Sequence, residues 1–294
     1  MDSSVPKISI VTPNYNYAHF IEDTMQSVLN QDYPNFEYVV IDDGSTDDSP
    51  RVIEKYASRL AHWEQQTNAG QYAAIRRGFE CTDGEIMGWL NSDDVYCPWT
   101  LQTVGEIMQR FPQCQWLTTL NMIHFDTDLI PSNFNVPGFS REAFLDGLHM
   151  YGNPGALCVI QQETTFWRRE LWEKSGGLDP KYPLAGDFAL WASFFQHADL
   201  YCLRVPMGGP RRQPTQRHVV HREKYVEESW KALDEYRQAV GWKPSHKPWL
   251  RKVLMAEHLP NVWKRLRGRF GYFGYHIRRS ATTNHEWIQQ GFWF

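Results

Sequence analysis

Residues 85–94, EIMGWLNSDD, place a short apolar strand directly before a polar cluster. The apolar run ends at Leu90, and Asn91, Ser92, Asp93 and Asp94 follow it without a spacer. Two neighbouring carboxylates raise each other's pKa unless a cation or water separates them. The pair therefore predicts a metal ion, an arginine partner or wide exposure to water. A solvated turn is the alternative, because Asn, Ser and Asp are common in loops.

Three more polar clusters follow predicted strands. They are TPNYN at 12–16, DDGSTD at 42–47 and NAGQ at 68–71. A helical pattern at residues 20–29 joins the first two strands, and such a strand–helix–strand unit implies a parallel pair with a right-handed crossover. Because the carboxyl ends of parallel strands meet at one edge of a sheet, the four clusters are expected to line one crevice.

Composition restricts the class of protein. The chain has 294 residues, of which 42% are hydrophobic, and this predicts one or two domains with a large core. A net charge of -4 does not indicate a general nucleic-acid binder. Five cysteines without a C-x-x-C pair, no apolar signal region and no long apolar run predict a reduced, cytoplasmic, soluble or peripherally attached protein.

Residues 243–279 differ from the rest of the chain, because they carry ten Lys or Arg against the single acid Glu257 and contain many aromatic residues. Such a segment suits an anionic membrane surface at the inner membrane face. Docking on the acidic body of the protein is the alternative. The closing residues 285–294 are rich in Trp and Phe, so they are expected to pack on the body or on a second subunit of a homodimer.

Several motifs together resemble the family 2 glycosyltransferases, which have the GT-A fold. They are PKISIVTPNYN, VVIDDGSTDDS, NAGQYAAIRRG and NSDD, over about residues 7–110, and GGLDPKYPLAGDFALW at 176–191. The resemblance implies an α/β fold with a mixed, mainly parallel, Rossmann-like sheet flanked by helices. It also implies a nucleotide-diphosphate sugar donor, a divalent cation (Mn²⁺ or Mg²⁺) and transfer with inversion.

The resemblance also suggests which residues hold the donor. Asp43, with Asp42 beside it, matches the acid that holds the nucleobase, although an Asx turn capping the next helix is the alternative. In the third cluster Gly70 allows close approach of the backbone, while a plain helix start is an equal alternative. The donor-binding residues predicted from these clusters are Thr12, Pro13, Tyr15, Asp42, Asp43, Asn68, Gly70, Gln71 and Asp93.

The metal motif departs from the family's usual D-x-D pattern, because Asn91 stands where many relatives carry the first acid. By resemblance Asp93 contacts the ribose and Asp94 coordinates the cation, with Asp93 as the other candidate ligand. A loop over residues 207–221 is rich in Gly, Pro and Arg. It is predicted to close over the donor, or else to be a solvated basic loop. Its candidates are Arg211 or Arg212 for the diphosphate and His218 or His221 for the metal.

Asp187 is the predicted catalytic base. It stands in LAGDFALW, at the first turn of an apolar helix, where helix capping is the structural alternative. In the family, the matching acid takes the proton from the acceptor hydroxyl. Glu163, in the sequence IQQETTFWRR, lies in a stretch that resembles an acceptor-side strand and is the reserve acid.

The sequence thus predicts a metal-dependent inverting glycosyltransferase for cell-surface polysaccharide or glycoconjugate synthesis, acting on a glycan or lipid-linked acceptor. Residues 1–220 would form the transferase domain, with a nucleotide-sugar half (1–110) and an acceptor half (111–220). Residues 221–294 would form a helical extension. A catalytically silent nucleotide-sugar-binding or glycan-binding module is one alternative. A nucleotidyltransferase of the same fold is another, although residues 12–16 lack the Gly, Lys or Arg expected in its first loop.

Overall fold

The computed structural model describes residues 5–213, 216–245, 247–249, 266, 268, 270–280, 282 and 285–294. The strands are β1 (Ile8–Asn14), β2 (Phe36–Asp42), β3 (His62–Gln65), β4 (Ile86–Trp89), β5 (Val95–Tyr96), β6 (Trp116–Thr119), β7 (Asn121–Phe125), β8 (Pro131–Asn135), β9 (Phe166–Arg168), β10 (Leu200–Leu203), β11 (Gly208–Gly209), β12 (Phe273–Arg279) and β13 (Trp287–Trp293). The α-helices are α1 (Ile21–Leu29), α2 (Ser49–Glu54), α3 (Gln71–Glu80), α4 (Thr100–Arg110), α5 (Arg141–Leu145), α6 (Arg169–Ser175), α7 (Gly186–His197), α8 (Arg217–Val220) and α9 (Arg222–Ala239). Two 3₁₀ turns lie at Ala57–Arg59 and Gln162–Thr164.

Within the described residues, nine strands form one mixed sheet in the order β13-β12-β10-β6-β9-β4-β1-β2-β3. Strand β9 runs antiparallel to β4 and β6, β13 runs antiparallel to β12, and the other pairs are parallel. Asn14 pairs with Asp42, and Asp42 pairs with Gln65. The carboxyl ends of β1, β2 and β3 therefore lie at the same edge of the sheet. The predicted mixed, mainly parallel α/β fold is confirmed.

Helices cover both faces of this sheet, and an aromatic core fills one face. Strands β1 and β4 are buried along their whole length, as expected for strands covered on both sides. Trp89 of β4 stacks on Trp191 of α7, with ring centroids 6.0 Å apart and an interplanar angle of 5°. Helix α7 is apolar around most of its circumference and largely buried, so its first turn is held firmly against the sheet.

The middle of the chain holds only short elements. Polar residues at 131–135 form strand β8, which makes a hairpin with β7. Residues 141–145 form the five-residue α5, and Gly147 follows it at φ +78°. Residues 160–169 form a 3₁₀ turn and a short strand, because the Thr164 and Thr165 hydroxyls donate to the Gln161 carbonyl at 3.2 and 2.7 Å and curl the chain.

The end of the chain also differs from prediction. Helix α9 is present, but a helical extension to the C-terminus was wrong for residues 273–293, which form β12 and β13 and widen the main sheet. Their aromatic and β-branched content favours a pleated strand over a helix. The closing residue Phe294 is buried beside Tyr272, so this end packs on the body, as expected.

Residues 250–265, in the middle of the basic segment, lie outside the described residues. None of the helices in the described part of the chain combines the length and the apolar character that a bilayer crossing requires.

Candidate active site

A cleft of about 1030 Å³ opens at the carboxyl edge of the sheet. Most of the predicted site residues line it, namely Pro13, Tyr15, Asp43, Asn68, Gly70, Gln71, Asp93, Asp94, Glu163, Asp187 and Arg212. Three do not: Thr12, Asp42 and Arg211. The side chain of His218 lies outside the described residues. The four polar clusters that follow β1 to β4 thus all contribute to one site, as their position after parallel strands predicted.

The two acids after β2 have different surroundings. Asp42 is fully buried, and its carboxylate accepts hydrogen bonds from Asn14 Nδ2 at 2.8 Å and from the Ser45 N–H and hydroxyl at 2.9 and 2.6 Å. These bonds form the turn after β2 and leave Asp42 no access to a ligand. They do not cap the next helix, because α2 begins only at Ser49 and its start has no side-chain cap. The Asp43 carboxylate faces the cleft and accepts from the backbone N–H groups of Ala69 and Gly70 at 2.9 and 2.8 Å.

The residues of the first loop also differ in their access to the cleft. Thr12 is fully buried, and its hydroxyl accepts a hydrogen bond from the Tyr38 hydroxyl at 2.8 Å. A donor contact by the Thr12 side chain therefore does not fit the structure. Pro13 lines the cleft, and Tyr15 stands at its edge with 45% of its surface exposed. The alternation of a strand explains the difference, because successive side chains point to opposite faces.

Asp93 and Asp94 are both buried where β4 ends. Asp94 accepts from Asn91 Nδ2 at 3.1 Å and from the Arg211 backbone N–H at 3.3 Å, and Asp93 accepts from Gln213 Nε2. Burial raises the pKa of both acids, and the charges of Asp93 and Glu163 raise the pKa of Asp94 further. Two buried carboxylates that oppose each other's ionisation fit a hard cation.

Protein side chains alone do not complete such a cation site. Within the described residues, no group of three or more His, Cys, Asp and Glu side chains is placed to hold a metal ion. Asn91, at the position of the family's first acid, accepts from Gln71 Nε2 at 2.7 Å and donates to Asp94. Its carbonyl oxygen is therefore already paired within the protein. A cation here would take its remaining ligands from water or from a bound substrate.

Arg211 is not placed to bind a diphosphate. It is 2% exposed, its guanidinium donates to Asp23 Oδ2 at 3.0 Å, and it lies 4.7 Å from the centroid of the Phe20 ring. Arg212 does line the cleft, where it donates to Nδ1 of His124 at 2.8 Å. Burial and the neighbouring Arg212 lower the pKa of His124 to about 4, so that imidazole is neutral at pH 7.

Arg217 is a cleft cation that the sequence reasoning missed. It lines the cleft and donates to Gln71 Oε1 at 2.8 Å on one wall and to the Pro183 carbonyl at 3.4 Å on the other. It lies on the short helix α8 and is exposed. The only signal in the sequence was its place in the Arg-rich stretch 207–221.

Asp187 stands in the first turn of α7 and faces the cleft. Its carboxylate accepts from the Tyr225 hydroxyl at 3.2 Å and lies 3.3 Å from the Tyr72 hydroxyl. Burial raises the pKa of Asp187, and hydrogen bonds from the Phe188 N–H and the two tyrosines oppose that rise. Gly186 is required beside it, because a Cβ there would come within 2.7 Å of the Tyr72 ring. Neither tyrosine was predicted. Tyr72 directly follows the NAGQ cluster, which was a signal for it, whereas no motif surrounds Tyr225.

Glu163 lies in the 3₁₀ turn and is 5% exposed. Burial raises the pKa of Glu163 to about 7, and the charges of Asp187 and Asp93 add to the rise. Its Oε1 atom has no hydrogen-bond partner within the described residues. Glu163 is therefore electrostatically coupled both to the Asp187 side of the cleft and to the Asp93–Asp94 side.

Comparison with known proteins places this chain in a family. Residues 9–163, just over half of the chain, match the family model described as Glycosyl transferase family 2. The Bacillus subtilis protein TuaG, a glycosyltransferase named for teichuronic acid biosynthesis, is 35% identical over 108 residues, which are 36% of this chain and 43% of its own. The chain spans about half the length of the curated relatives it matches.

Two solved structures show the same fold. TarS of S. aureus, residues 1–349 in complex with UDP-GlcNAc, has a TM-score of 0.58 at 20% identity and covers 76% of this chain and 64% of that one. The mannosyltransferase PcManGT from Pyrobaculum calidifontis, in complex with GDP-Man and Mn²⁺, has a TM-score of 0.55 at 18% identity and covers 90% and 83%. With its GT-A fold and its match to the family model, this chain belongs to glycosyl transferase family 2.

Proposed function

We propose that the chain transfers a sugar from a nucleoside-diphosphate donor to an acceptor hydroxyl, with inversion at the anomeric carbon. The observation that carries the proposal is the pairing, in one cleft, of a buried acid pair, Asp93 and Asp94, with a separate half-buried acid, Asp187. The first suits a cation and a diphosphate, and the second suits a general base. The relative named for teichuronic acid biosynthesis supports a role in polysaccharide or glycoconjugate assembly.

The nucleoside end of the donor is assigned to the loops after β1, β2 and β3. Asp43 is proposed to hold the base, with Pro13 and Tyr15 beside the base and ribose. In the structure the Asp43 carboxylate is held by backbone N–H groups, which fixes its direction before a ligand arrives. Asn68, Gly70 and Gln71 line the adjoining wall.

The diphosphate end is assigned to the loop after β4 and to α8. Asp94, with Asp93, would hold Mn²⁺ or Mg²⁺, which when bound supplies positive charge that stabilises the departing diphosphate. Arg217 is proposed as the side chain that grips the diphosphate, in place of Arg211. Its present partners are an amide and a backbone carbonyl, both neutral, so a phosphate is a stronger partner.

Asp187 is proposed as the base for a single displacement. The acceptor oxygen attacks the anomeric carbon and forms the new glycosidic bond, while its proton moves to the Asp187 carboxylate. The bond from the anomeric carbon to the phosphate oxygen breaks, and the nucleoside diphosphate leaves with that electron pair. Attack opposite to the leaving group inverts the anomeric centre. Glu163 remains the reserve acid for this step.

The test is a calorimetric titration of UDP, GDP, TDP and CMP sugars into the wild type, Asp94→Ala and Asp187→Asn, each with Mn²⁺ and with EDTA. Metal-dependent binding of one diphosphate sugar is expected, weakened at least tenfold by Asp94→Ala. Asp187→Asn is expected to keep binding but to lose transfer and slow donor hydrolysis by about 10³-fold or more.

The same experiment separates the alternatives. Binding without turnover in the wild type would favour a silent nucleotide-sugar-binding or glycan-binding module. A phosphate ester product would favour a nucleotidyltransferase. Failure of a folded protein to bind any of the nucleotide sugars would overturn the donor assignment.

The remaining assignments rest on the sequence. We propose a transferase domain at residues 1–220, with halves at 1–110 and 111–220, and an extension at 221–294 whose strands β12 and β13 join the sheet of that domain. On the same grounds we propose a cytoplasmic location and contact of the basic segment with the inner membrane face. We also propose a glycan or lipid-linked acceptor and a homodimer. Sedimentation of the protein with anionic and neutral vesicles tests the membrane contact.

A further inference from the structure

Two tyrosine hydroxyls reach Asp187 from distant parts of the chain. Tyr72 lies on α3, 115 residues before Asp187, and Tyr225 lies on α9, 38 residues after it. Both tyrosines line the cleft. In the sequence, Tyr72 precedes the first turn of α7 and Tyr225 follows it. Residues 9–163, which match the family model, include Tyr72 but not Tyr225. Helix α9 therefore brings to the site a group that lies outside the residues matched by the family model.

The two hydroxyls have different hydrogen-bond geometry. The Tyr72 oxygen lies 2.9 Å from the Leu184 carbonyl oxygen but 3.3 Å from Asp187 Oδ1, and it accepts from the Asp187 backbone N–H at 3.3 Å. A hydroxyl has one proton, and the shorter contact assigns it to Leu184. Tyr72 thus holds the backbone at the start of α7.

Tyr225 instead contacts the carboxylate itself. Its hydroxyl oxygen lies 3.2 Å from Oδ1 and 3.4 Å from Oδ2 of Asp187. A donor placed against both oxygens stabilises the charged carboxylate and restricts its rotation. A general base must be ionised and correctly oriented before the acceptor arrives.

Burial opposes the ionisation of Asp187 and raises its pKa. The charge of Asp187 in turn raises the pKa of Glu163 in the 3₁₀ turn. Arg217 on α8 is near Tyr72, and the ring of Tyr151 packs edge-on against Tyr225. The Phe188 backbone N–H and the Tyr225 hydroxyl are thus the main local donors that stabilise the Asp187 charge.

We propose that Tyr225 is a positioning residue that keeps Asp187 ionised and oriented for proton abstraction, which makes α9 part of the catalytic site. The inference rests on the proposed function, in which Asp187 is the base. Tyr72 has a separate task, which is to fix the backbone that carries Asp187. The division predicts different behaviour for two variants that each lose one hydroxyl.

The test compares kcat/KM against pH for the wild type, Tyr225→Phe, Tyr72→Phe and Tyr236→Phe. The substrate is the nucleotide sugar that binds in the titrations above, followed as release of nucleoside diphosphate. Tyr236→Phe is the matched control, because Tyr236 is a buried residue of α9 whose hydroxyl has no partner within the described residues.

In Tyr225→Phe the lost donor should raise the pKa of Asp187. Activity falls as the base is protonated, so the acid limb of the profile should move to higher pH by roughly 0.5–1 unit. At a pH on that limb the rate should fall about 3- to 10-fold and recover as the pH rises. Tyr72→Phe should lower kcat with a smaller shift of the limb. Tyr236→Phe should match the wild type.

An equal loss of rate at every pH in Tyr225→Phe would mean that the residue only packs, and it would overturn the inference. So would an unmoved limb. Tyr225→Leu is a second variant without the hydroxyl, and thermal unfolding checks that both variants are folded at the temperature of the assay. Retained transfer in Asp187→Asn would instead overturn the base assignment, so failure of the proposed function is distinguishable from failure of this inference.

Discussion

Arg211, in the loop after β11, donates two hydrogen bonds of 3.0 Å to Oδ2 of Asp23 on helix α1. The arginine is almost wholly buried, while the side chain of Asp23 is 46% exposed. The backbone N–H of the same arginine donates to Asp94, so the pair anchors the loop beside the proposed cation site. Its contribution is therefore expected to be to stability and loop position rather than to substrate binding.

Arg211→Ala should lower the free energy of unfolding by about 2–4 kcal/mol. The substitution leaves a cavity over Phe20 and removes the partner of Asp23, whose own exposure limits the electrostatic part. Urea denaturation followed by circular dichroism measures this loss. Arg51→Ala is the control, because the ion pair of Arg51 with Asp48 is exposed. A change below about 0.5 kcal/mol in Arg211→Ala would contradict the anchoring role.

Arg217→Gln should weaken donor binding and leave stability almost unchanged, the opposite of Arg211→Ala. The residue is exposed on α8, so stability should change by less than about 0.5 kcal/mol. Loss of a charged partner for the diphosphate should weaken binding of the donor about 10-fold or more, and should weaken binding of the free nucleoside diphosphate equally. Isothermal titration of both ligands checks this, with Arg212→Gln as the comparison. Unchanged affinity in Arg217→Gln would leave the diphosphate without its proposed arginine.

Glu163 should make stability depend on pH. Its pKa is raised by burial from its usual 4.5 to about 7, so the folded state binds the proton more tightly than the unfolded chain. The free protein should therefore lose stability as the pH rises from about 4.5 to about 7. Glu163→Gln removes this dependence, and the wild type should fall by about 1–3 kcal/mol relative to the variant over that range.

The measurement for Glu163 is the difference between the two unfolding free energies at each pH. A difference is needed because His124, whose pKa burial lowers to about 4, affects stability in the opposite direction: it favours the folded state as the pH rises towards 6.5. Since His124 is present in both proteins, its contribution cancels. A flat difference between pH 5 and 7.5 would show that Glu163 ionises normally.

Trp191→Leu should destabilise the fold by about 2–4 kcal/mol. Trp191 is 2% exposed and stacks between Trp89 and Trp116, with centroid distances of 6.0 and 5.7 Å. Because the same helix carries Asp187, loosened packing is also expected to lower activity. Thermal unfolding checks the loss, with Trp230→Leu, a 37% exposed residue of α9, as the control. Equal melting temperatures for the two variants would contradict a core role for the stack.

Local patterns in the sequence were enough for the nucleotide half of the fold. Each of β1, β2 and β4 is a short apolar run that ends in polar residues, and this pattern is complete within a few positions of the chain. Parallel pairing then brings those ends to one edge for geometric reasons. The same patterns failed at residues 273–293, where short aromatic strands were predicted as helix, because their pairing partner β10 lies far away in the sequence.

The sequence by itself determined the fold class, the family and the acids Asp43, Asp93, Asp94, Glu163 and Asp187 that line the cleft. The tertiary structure alone decided which cations and hydroxyls meet those acids. It buries Arg211 against Asp23, leaves Arg217 in the cleft and brings Tyr225 to Asp187. The physical reason is that periodicity and turn residues act over a few positions, whereas these contacts depend on how α1, α7, α8 and α9 pack against the finished sheet.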